Sequence, residues 1–310
     1  MIDPDEILRR IDEQWADDGV ERRYLGASEI GDECSRKLWL KFNGYIKPEK
    51  FSSRMMRLFF RGKREEPVFE TMLENAGAKI LQSCLDQAGF KDGFFAGHGD
   101  GVYEFEGKRV AVEMKTHNAK SFSTLKRGQL LATHPKHYAQ CIVYSGKFDC
   151  EYALYIAVNK DSDELFIDCI PFNADQFKSY CDNAEFITMA DKPPERIATS
   201  PVSFKCKFCN AHSVCWGLEM ARVDCRNCTS VTKDRDSGEF LCEMDKKKKL
   251  DGESSCKYHS FSPFAISELY GWSPVEFFPE HRAVKYQKPD GSEIINGAEP
   301  FGVESKELKL

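Results

Sequence analysis

Gly97-His98-Gly99-Asp100-Gly101-Val102-Tyr103-Glu104-Phe105, then Glu106-Gly107-Lys108, then Arg109-Val110-Ala111-Val112-Glu113-Met114-Lys115-Thr116 reads as two strands and the turn between them. Val102 and Phe105 on the first run, and Val110, Val112 and Met114 on the second, are apolar positions of β type. Asp100 stands at the mouth of the first strand. Side chains repeat every two residues along a strand, so Glu113 and Lys115 share a face and alternate with Val112 and Met114. Two carboxylates and an amine gathered by a hairpin suit a hard divalent cation bound through oxygen, with the lysine beside it to steady an anion. A solvated surface hairpin carries the same letters, so the rest of the chain decides.

Downstream, His137-Tyr138-Ala139-Gln140-Cys141-Ile142-Val143-Tyr144 has helical spacing, with Gln140 and Tyr144 one turn apart. Upstream, Arg61-Gly62-Lys63-Arg64-Glu65-Glu66-Pro67 opens another helical segment with an acidic residue. Taken in order, Gly-x-x-x-Glu (Gly62 to Glu66), Gly-Asp (Gly99-Asp100), Glu-x-Lys (Glu113, Lys115) and Gln-x-x-x-Tyr (Gln140, Tyr144) resemble the motif series of PD-(D/E)XK nucleases. The branch most similar is the RecB-like one, with the CRISPR-associated RecB-like exonucleases among its members. The resemblance covers roughly Gly26 to Trp216. It implies an α+β, restriction-endonuclease-like core: a mixed central sheet flanked by helices. It also implies metal-dependent hydrolysis of DNA phosphodiester bonds. Glu66, Asp100, Glu113 and the backbone carbonyl of Met114 would hold Mg2+ or Mn2+, and Lys115 would orient the attacking water or the developing anion. Gln140 and Tyr144 would position the phosphate or the active-site side chains. Many relatives carry a histidine in the first motif, where this chain has Lys63-Arg64-Glu65. Whether Glu65 or Glu66 faces the metal is therefore open at this point, and His98 is a further candidate.

Composition bounds the alternatives. The chain has 310 residues, 41% hydrophobic and 30% charged, which is the balance of a soluble globular protein. No apolar run approaches membrane-spanning length, and the acidic start Met1-Ile2-Asp3-Pro4-Asp5-Glu6 is unlike a signal peptide. A membrane partner is not expected. The formal charge of -6 does not by itself favour nucleic acid, but binding requires a local basic groove, not a basic average. Arg54, Arg57, Arg61, Lys63 and Arg64 are candidates for a phosphate-binding wall, and Lys120, Lys126 and Arg127 for tracking a strand backbone.

Thirteen cysteines without a secretory signal point to metal or cluster ligation in a reducing, cytoplasmic setting instead of disulfides, and the nuclease resemblance implies that the cell is bacterial or phage-infected. Cys206-x2-Cys209-x5-Cys215 is a spacing at which thiolates wrap one soft metal centre. Cys34, alone before a helix, reads from its own surroundings as a small buried side chain. The nuclease resemblance implies more: Cys34-Ser35-Arg36 is similar to the N-terminal cysteine element of the iron–sulfur members. There Cys34 joins Cys206, Cys209 and Cys215 on a 4Fe-4S cluster that staples the two ends of the nuclease domain. A second group, Cys225-x2-Cys228, Cys242 and Cys256 with His259 close behind, has the pattern of a small Zn2+ module whose fourth ligand is Cys256 or His259. A competing partition puts Cys206, Cys209, Cys225 and Cys228 on one zinc and strands Cys34 and Cys215. Lys246-Lys247-Lys248-Lys249 on this module offers sequence-independent phosphate contacts.

Periodicity predicts helices over 5–23, 55–76 and 174–189, the second with Leu58, Phe59, Val68, Phe69, Met72 and Leu73 facing a core. It predicts strands over 79–85 and 93–102, a loop over 120–131, and hairpins over 150–170 and 284–295. The expected organisation is an N-terminal helical arm (1–60), a nuclease core (61–200), an iron–sulfur closing segment (201–222), a zinc module (223–262) and a tail (263–310). Three functions fit. One is a DNA exonuclease of replication, repair or recombination, phage-borne or bacterial and paired with a single-strand annealing or recombination protein. Another is a CRISPR-adaptation-type end-processing nuclease. The third is a non-catalytic DNA-binding scaffold, against which the intact Asp100, Glu113 and Lys115 argue.

Overall fold

The computed structural model describes residues 2–250 and 255–310, with the backbone alone over 245–249. Helix α1 (Pro4–Gln14) is capped by Asp3, whose carboxylate accepts from the Asp5 and Glu6 N–H groups. It stops well short of Arg23. Asp17 and Asp18 accept from the N–H groups of Gly19 and Val20, and such local side-chain bonds hold the backbone in turns instead of helix. After β1 (Leu25–Gly26), α2 (Ser35–Phe42) starts on Cys34 as its N-cap and buries Leu38, Trp39 and Phe42. Helix α3 (Ser53–Asn75) buries only Phe69 and Leu73 of the six residues predicted for its inner face. Val68 and Met72, each one residue before a buried position, form its outward face. Its first half is covered by α1 instead of the sheet, through the Trp15–Phe60 ring contact at 5.0 Å and the Arg57–Asp12 ion pair.

The middle of the chain builds the centre. β2 (Lys79–Gln82) ends where a 3-10 turn capped by Ser83 begins, which shortens the strand expected to reach residue 85. β3 (Gly89–Asp92), β4 (Phe95–His98), β5 (Gly101–Phe105) and β6 (Lys108–His117) follow. The segment expected as a loop is helical: α4 (Ala119–Arg127) is capped by Asn118 and buries Phe122 and Leu125, three residues apart on one face. α5 (Leu130–Thr133), α6 (Pro135–Lys147), β7 (Tyr152–Asn159), β8 (Leu165–Pro171) and α7 (Ala174–Met189) complete this region.

Five strands pair in the order β2-β5-β6-β7-β8, with β6 and β7 parallel and the other pairs antiparallel. The parallel pair needs a crossover, which α4, α5 and α6 supply. Alternation sends Val110, Val112 and Met114 of β6 to a cluster with Phe69 and Leu73 of α3. On the other face, Ala153, Tyr155 and Ala157 of β7 pack with Leu125, Leu130 and Ile142 of the crossover helices. The sheet is therefore mixed and flanked by helices on both faces. β7 is buried almost throughout, whereas the edge strand β8 alternates, which is why the former reads as a continuous apolar run.

Downstream lie α8 (Phe204–Lys207), α9 (His212–Cys215), β9 (Val231–Asp234), β10 (Glu239–Cys242), β11 (Asp245–Lys249), α10 (Pro263–Tyr270), β12 (Ser273–Phe278), β13 (Ala283–Gln287) and β14 (Glu293–Asn296). The last three form one antiparallel sheet, with β13 and β14 as the predicted hairpin. Trp272 and Tyr286 from this tail share a hydrophobic cluster with Leu38 and Trp39 of α2. The side chains of Lys246–Lys249, and with them the expected phosphate contacts, lie outside the described residues. No helix among the described residues is long and apolar enough to cross a membrane.

Candidate active site

The β5–β6 register, Gly101 opposite Val112, sets Asp100 beside Glu113. Asp100 Oδ2 accepts from the Met114 N–H at 2.8 Å, so the carboxylate is fixed to the backbone of the neighbouring strand. Gln87 donates to the other oxygen at 3.4 Å. Glu113 and Lys115 project from one face of β6, as alternation requires. Glu113 is 1% exposed; one of its oxygens accepts from Lys115 Nζ and the other, Oε2, is buried with no hydrogen-bond partner. Lys115 Nζ also reaches the Met114 carbonyl at 3.2 Å and stands 3.9 Å from Asp100 Oδ2.

Helix α3 brings Glu66 to this group. Burial, and then the charge of Asp100, hold its carboxyl up to about 7, with Lys115 and Lys63 opposing. Of the two glutamates left open by the sequence, Glu66 is the one whose charge is felt at Asp100 and Glu113. Burial holds Glu113 up to about 8; Lys115 opposes this, and Asp100 and Glu66 add to it. Burial alone would depress the Lys115 ammonium, but Glu113 and Asp100 outweigh it and raise it. When all three carboxyls are ionised they outnumber the one ammonium, and a divalent cation would offset that excess and favour the ionised forms.

Gln140 and Tyr144 lie on one face of α6, with Gln140 Nε2 donating to Tyr144 Oη at 3.4 Å. Burial, and then the proximity of Glu113, raise the Tyr144 hydroxyl. Gly97 lets α6 close on β4: a Cβ there would lie 3.0 Å from Tyr144 Oη and 2.9 Å from the Ala27 Cβ. His98 ends β4 as an exposed residue, with its ring over Gly89.

Two groups beside the site were not picked out from the sequence. Glu70, one helical turn after Glu66, accepts from Tyr103 Oη, Ser83 Oγ and the Cys84 N–H, each at 2.8 Å, tying α3 to β5 and to the turn after β2. Its signal was the four-residue spacing from Glu66. Tyr155, opposite Glu113 in the parallel register, places its hydroxyl 2.8 Å from His117 Nε2 and 2.9 Å from His137 Nδ1. His117 continues the Glu113–Lys115 alternation, which was its signal. Burial lowers His117 to about 4 and His137 to about 3, so both are neutral near pH 7 and add no cation to the site. Among the candidate phosphate contacts, Arg57 is paired with Asp12 and Lys126 with Glu164, while Arg61 donates to the Lys160 carbonyl at 3.3 Å. Arg54, Lys63, Arg64, Lys120 and Arg127 are exposed.

Eight of the thirteen cysteines fall into two groups. Cys34, Cys206, Cys209 and Cys215 line one cavity of about 420 Å³. Cys34 Sγ accepts from the Lys37 N–H at 3.4 Å, and burial, Cys209 and Cys215 push its thiol up. Arg36 lines the same cavity; it is 1% exposed, and its Nε and Nη2 have no hydrogen-bond partner. Cys225, by contrast, feels Cys228, Cys256 and Cys242. The His259 ring is held by hydrogen bonds, with Nδ1 2.8 Å from Ser305 Oγ and Nε2 2.9 Å from Asn227 Oδ1. Among the described residues, no three His, Cys, Asp or Glu side chains converge as a closed set around a single metal ion.

No family model matches this chain, and no curated protein matches it by sequence. Solved structures do. One, described as SSO0001, is 16% identical with a TM-score of 0.41, over 70% of this chain and 97% of its own. An alkaline exonuclease (LHK-Exo) from Laribacter hongkongensis is 13% identical with a TM-score of 0.40, over 56% of this chain and 90% of its own. Its complex with dAMP aligns over the same shares at 14% identity and a TM-score of 0.40. At such distance these likenesses say nothing of this chain's residues or reaction.

Proposed function

We propose that the chain is a divalent-metal-dependent DNA exonuclease. The observation that carries this reading is the buried, partly unpartnered carboxylate of Glu113 between Lys115 and the backbone-anchored Asp100. Glu66, Asp100, Glu113 and the Met114 carbonyl would hold Mg2+ or Mn2+, oxygen donors that suit hard cations. When bound, the metal lowers the pKa of a water and neutralises charge on the scissile phosphate. Asp100 keeps its orientation by accepting from Met114 N–H. Lys115, charged throughout the neutral range, offers N–H donors to the attacking oxygen or to the phosphate oxygen that gains charge. Tyr144 and Gln140 offer further donors at the opposite wall. The test is digestion of end-labelled single- and double-stranded DNA with Mg2+, Mn2+ or chelator. Metal-dependent loss of label from an end is expected; no cleavage of either substrate in either metal would overturn the reading.

The elevated carboxyls make a second expectation. Glu66 and Glu113 are held above their unfolded values near 4.3, so the stability they contribute is complete below that value. It is lost as pH rises through 7 to 8. The buried histidines act in the opposite sense below about 6.5, which leaves pH 6.5 to 8.5 as the window for the carboxylates. Metal-free protein should therefore lose a few degrees of melting temperature across that window, since ~1 kcal/mol moves the midpoint of a chain this size by about 2–4 °C. Mg2+ or Mn2+ should restore it at pH 8.5. Glu113→Gln should flatten most of the loss, and the difference between the two proteins isolates this site from groups such as Lys233. A slope identical in both proteins would remove Glu113 as the cause.

We also propose that Cys34, Cys206, Cys209 and Cys215 hold a 4Fe-4S cluster in their shared cavity. A cubane binds each thiolate at a different corner, so its ligands surround a volume instead of converging on one ion. With four thiolates such a cluster is anionic, and the unpartnered N–H groups of the buried Arg36 supply donors and positive charge at the cavity wall.

A further inference from the structure

The second cysteine group is not used by the nuclease chemistry. We infer that Cys225, Cys228, Cys242 and Cys256 form a structural zinc site, with His259 as the strut that holds the site's backbone and not as a ligand. Three features of the backbone meet here. Cys225–Asn227 is a 3-10 turn in a capping box with Asp224, and the Cys228 N–H bonds back to the Cys225 carbonyl at 3.3 Å. That turn brings the two residues of the pair to the ends of one short hydrogen-bonded loop. Cys228 Sγ accepts from the Ser230 N–H at 3.5 Å, the kind of bond that steadies a thiolate ligand.

The other two cysteines are delivered by backbone pairing. Cys242 is opposite Val231 in the β9–β10 ladder, Val231 N–H donates to the Cys228 carbonyl, and Glu243 N–H donates to the Ser230 carbonyl. Cys256 opens a turn closed by the His259 N–H at 3.1 Å, and the chain then runs antiparallel beside the pair through the Cys228–Phe261 bridge and the Thr229 N–H to Ser260 carbonyl bond. Cys228 thus lies between the strand that carries Cys242 and the segment that carries Cys256. Among the described residues the four cysteines do not form a ready metal-ligand group; binding zinc would displace the thiol protons and draw the thiolates together.

His259 cannot be the fourth ligand without breaking what holds the turn. Its Nε2 lies 2.9 Å from Asn227 Oδ1 and 3.0 Å from the Asp224 carbonyl, and its Nδ1 2.8 Å from Ser305 Oγ. Asn227 in turn donates to the carbonyls of Gly44 and Arg222. Gly44 has φ of +72°, and a Cβ on it would lie 2.8 Å from Asp224 Cγ, so the turn sits directly on the end of α2. The zinc would therefore join the turn on the core, the end of β10 and the lead into the C-terminal sheet. Four thiolates make a closed tetrahedral site with no open position, which is structural and not catalytic.

The test is independent of the nuclease reading. Full-length protein grown with zinc is alkylated under native conditions, and the modified cysteines are mapped by mass spectrometry before and after chelation. Zinc should protect Cys225, Cys228, Cys242 and Cys256 together, whatever fills the Cys34 cavity, and chelation should unmask all four. Metal-free protein titrated with Co2+ should take one equivalent at this site with the charge-transfer absorption of a four-thiolate tetrahedral centre. His259→Gln should keep that spectrum and stoichiometry, while Cys228→Ser should lose them. Full alkylation of the four in zinc-loaded wild-type protein would overturn the site. A spectrum of three thiolates and one imidazole that changes in His259→Gln would overturn the ligand set.

Discussion

Purified Glu113→Ala protein, given end-labelled DNA and saturating Mg2+ or Mn2+, should cleave at least roughly 10²–10³-fold more slowly than wild type. Removing the carboxylate takes away a cation ligand and leaves the Lys115 ammonium without its nearest partner. Asp100→Ala should do as much, and it also frees the Met114 N–H; Asp100→Asn keeps an acceptor there and isolates the loss of charge. Lys115→Ala should match them by removing the donor to the developing anion. The three losses should not add, because the groups act as one unit. DNA binding in Ca2+ and circular dichroism should stay near wild type in all of them. Cleavage at the wild-type rate by folded Glu113→Ala would sink the assignment of the site.

Much of this site was legible before any coordinates because it is written at strand period. Glu113, Lys115 and His117 fall on alternate positions of one strand, and the Glu106-Gly107-Lys108 turn fixes its register against Asp100. The sequence could not say which of Glu65 and Glu66 turns inward, since that depends on where α3 crosses the sheet. The outward face of α3 and the helix α4 were misread for related reasons. Val68 and Met72 are apolar yet face away from the sheet, and α4 buries only Phe122 and Leu125 within a polar stretch. Local pattern shows amphipathicity, while burial is decided by neighbours distant in sequence. Tyr155 shows the same limit: nothing local marks it, and only the parallel pairing of β6 with β7 brings it opposite Glu113. Spacing alone allowed Cys206 and Cys209 to share an ion with Cys225 and Cys228, and the resemblance favoured the other partition; in the fold Cys206 and Cys209 line a cavity with Cys34 and Cys215.

Anaerobically purified protein should be brown and carry iron and acid-labile sulfide, and Cys34→Ser should bleach it. Cys34 would be the decisive ligand, because it enters the cavity from α2 while the other three come from the segment around α8 and α9. A cluster there closes a loop of well over a hundred residues, and a cross-link of that span constrains the unfolded chain by roughly 5 kcal/mol in the chain-entropy model. Its loss should lower the melting temperature by up to about 10–20 °C. The loosening should be local. Hydrogen exchange should rise in α2 and over 194–216, where Arg36 donates to the Pro194 carbonyl at 2.8 Å and Trp39 Nε1 to the Ala190 carbonyl at 2.8 Å. It should change little in β6 and β7, whose partners lie elsewhere. Zinc should stay in Cys34→Ser, whereas Cys228→Ser should keep the colour and lose zinc. If Cys206, Cys209, Cys225 and Cys228 share one zinc instead, the wild-type protein is colourless, Cys34→Ser changes neither colour nor melting, and Cys206→Ser releases zinc. The two partitions thus differ in the colour and melting readouts on Cys34, and a colourless anaerobic preparation with intact zinc would decide against the cluster.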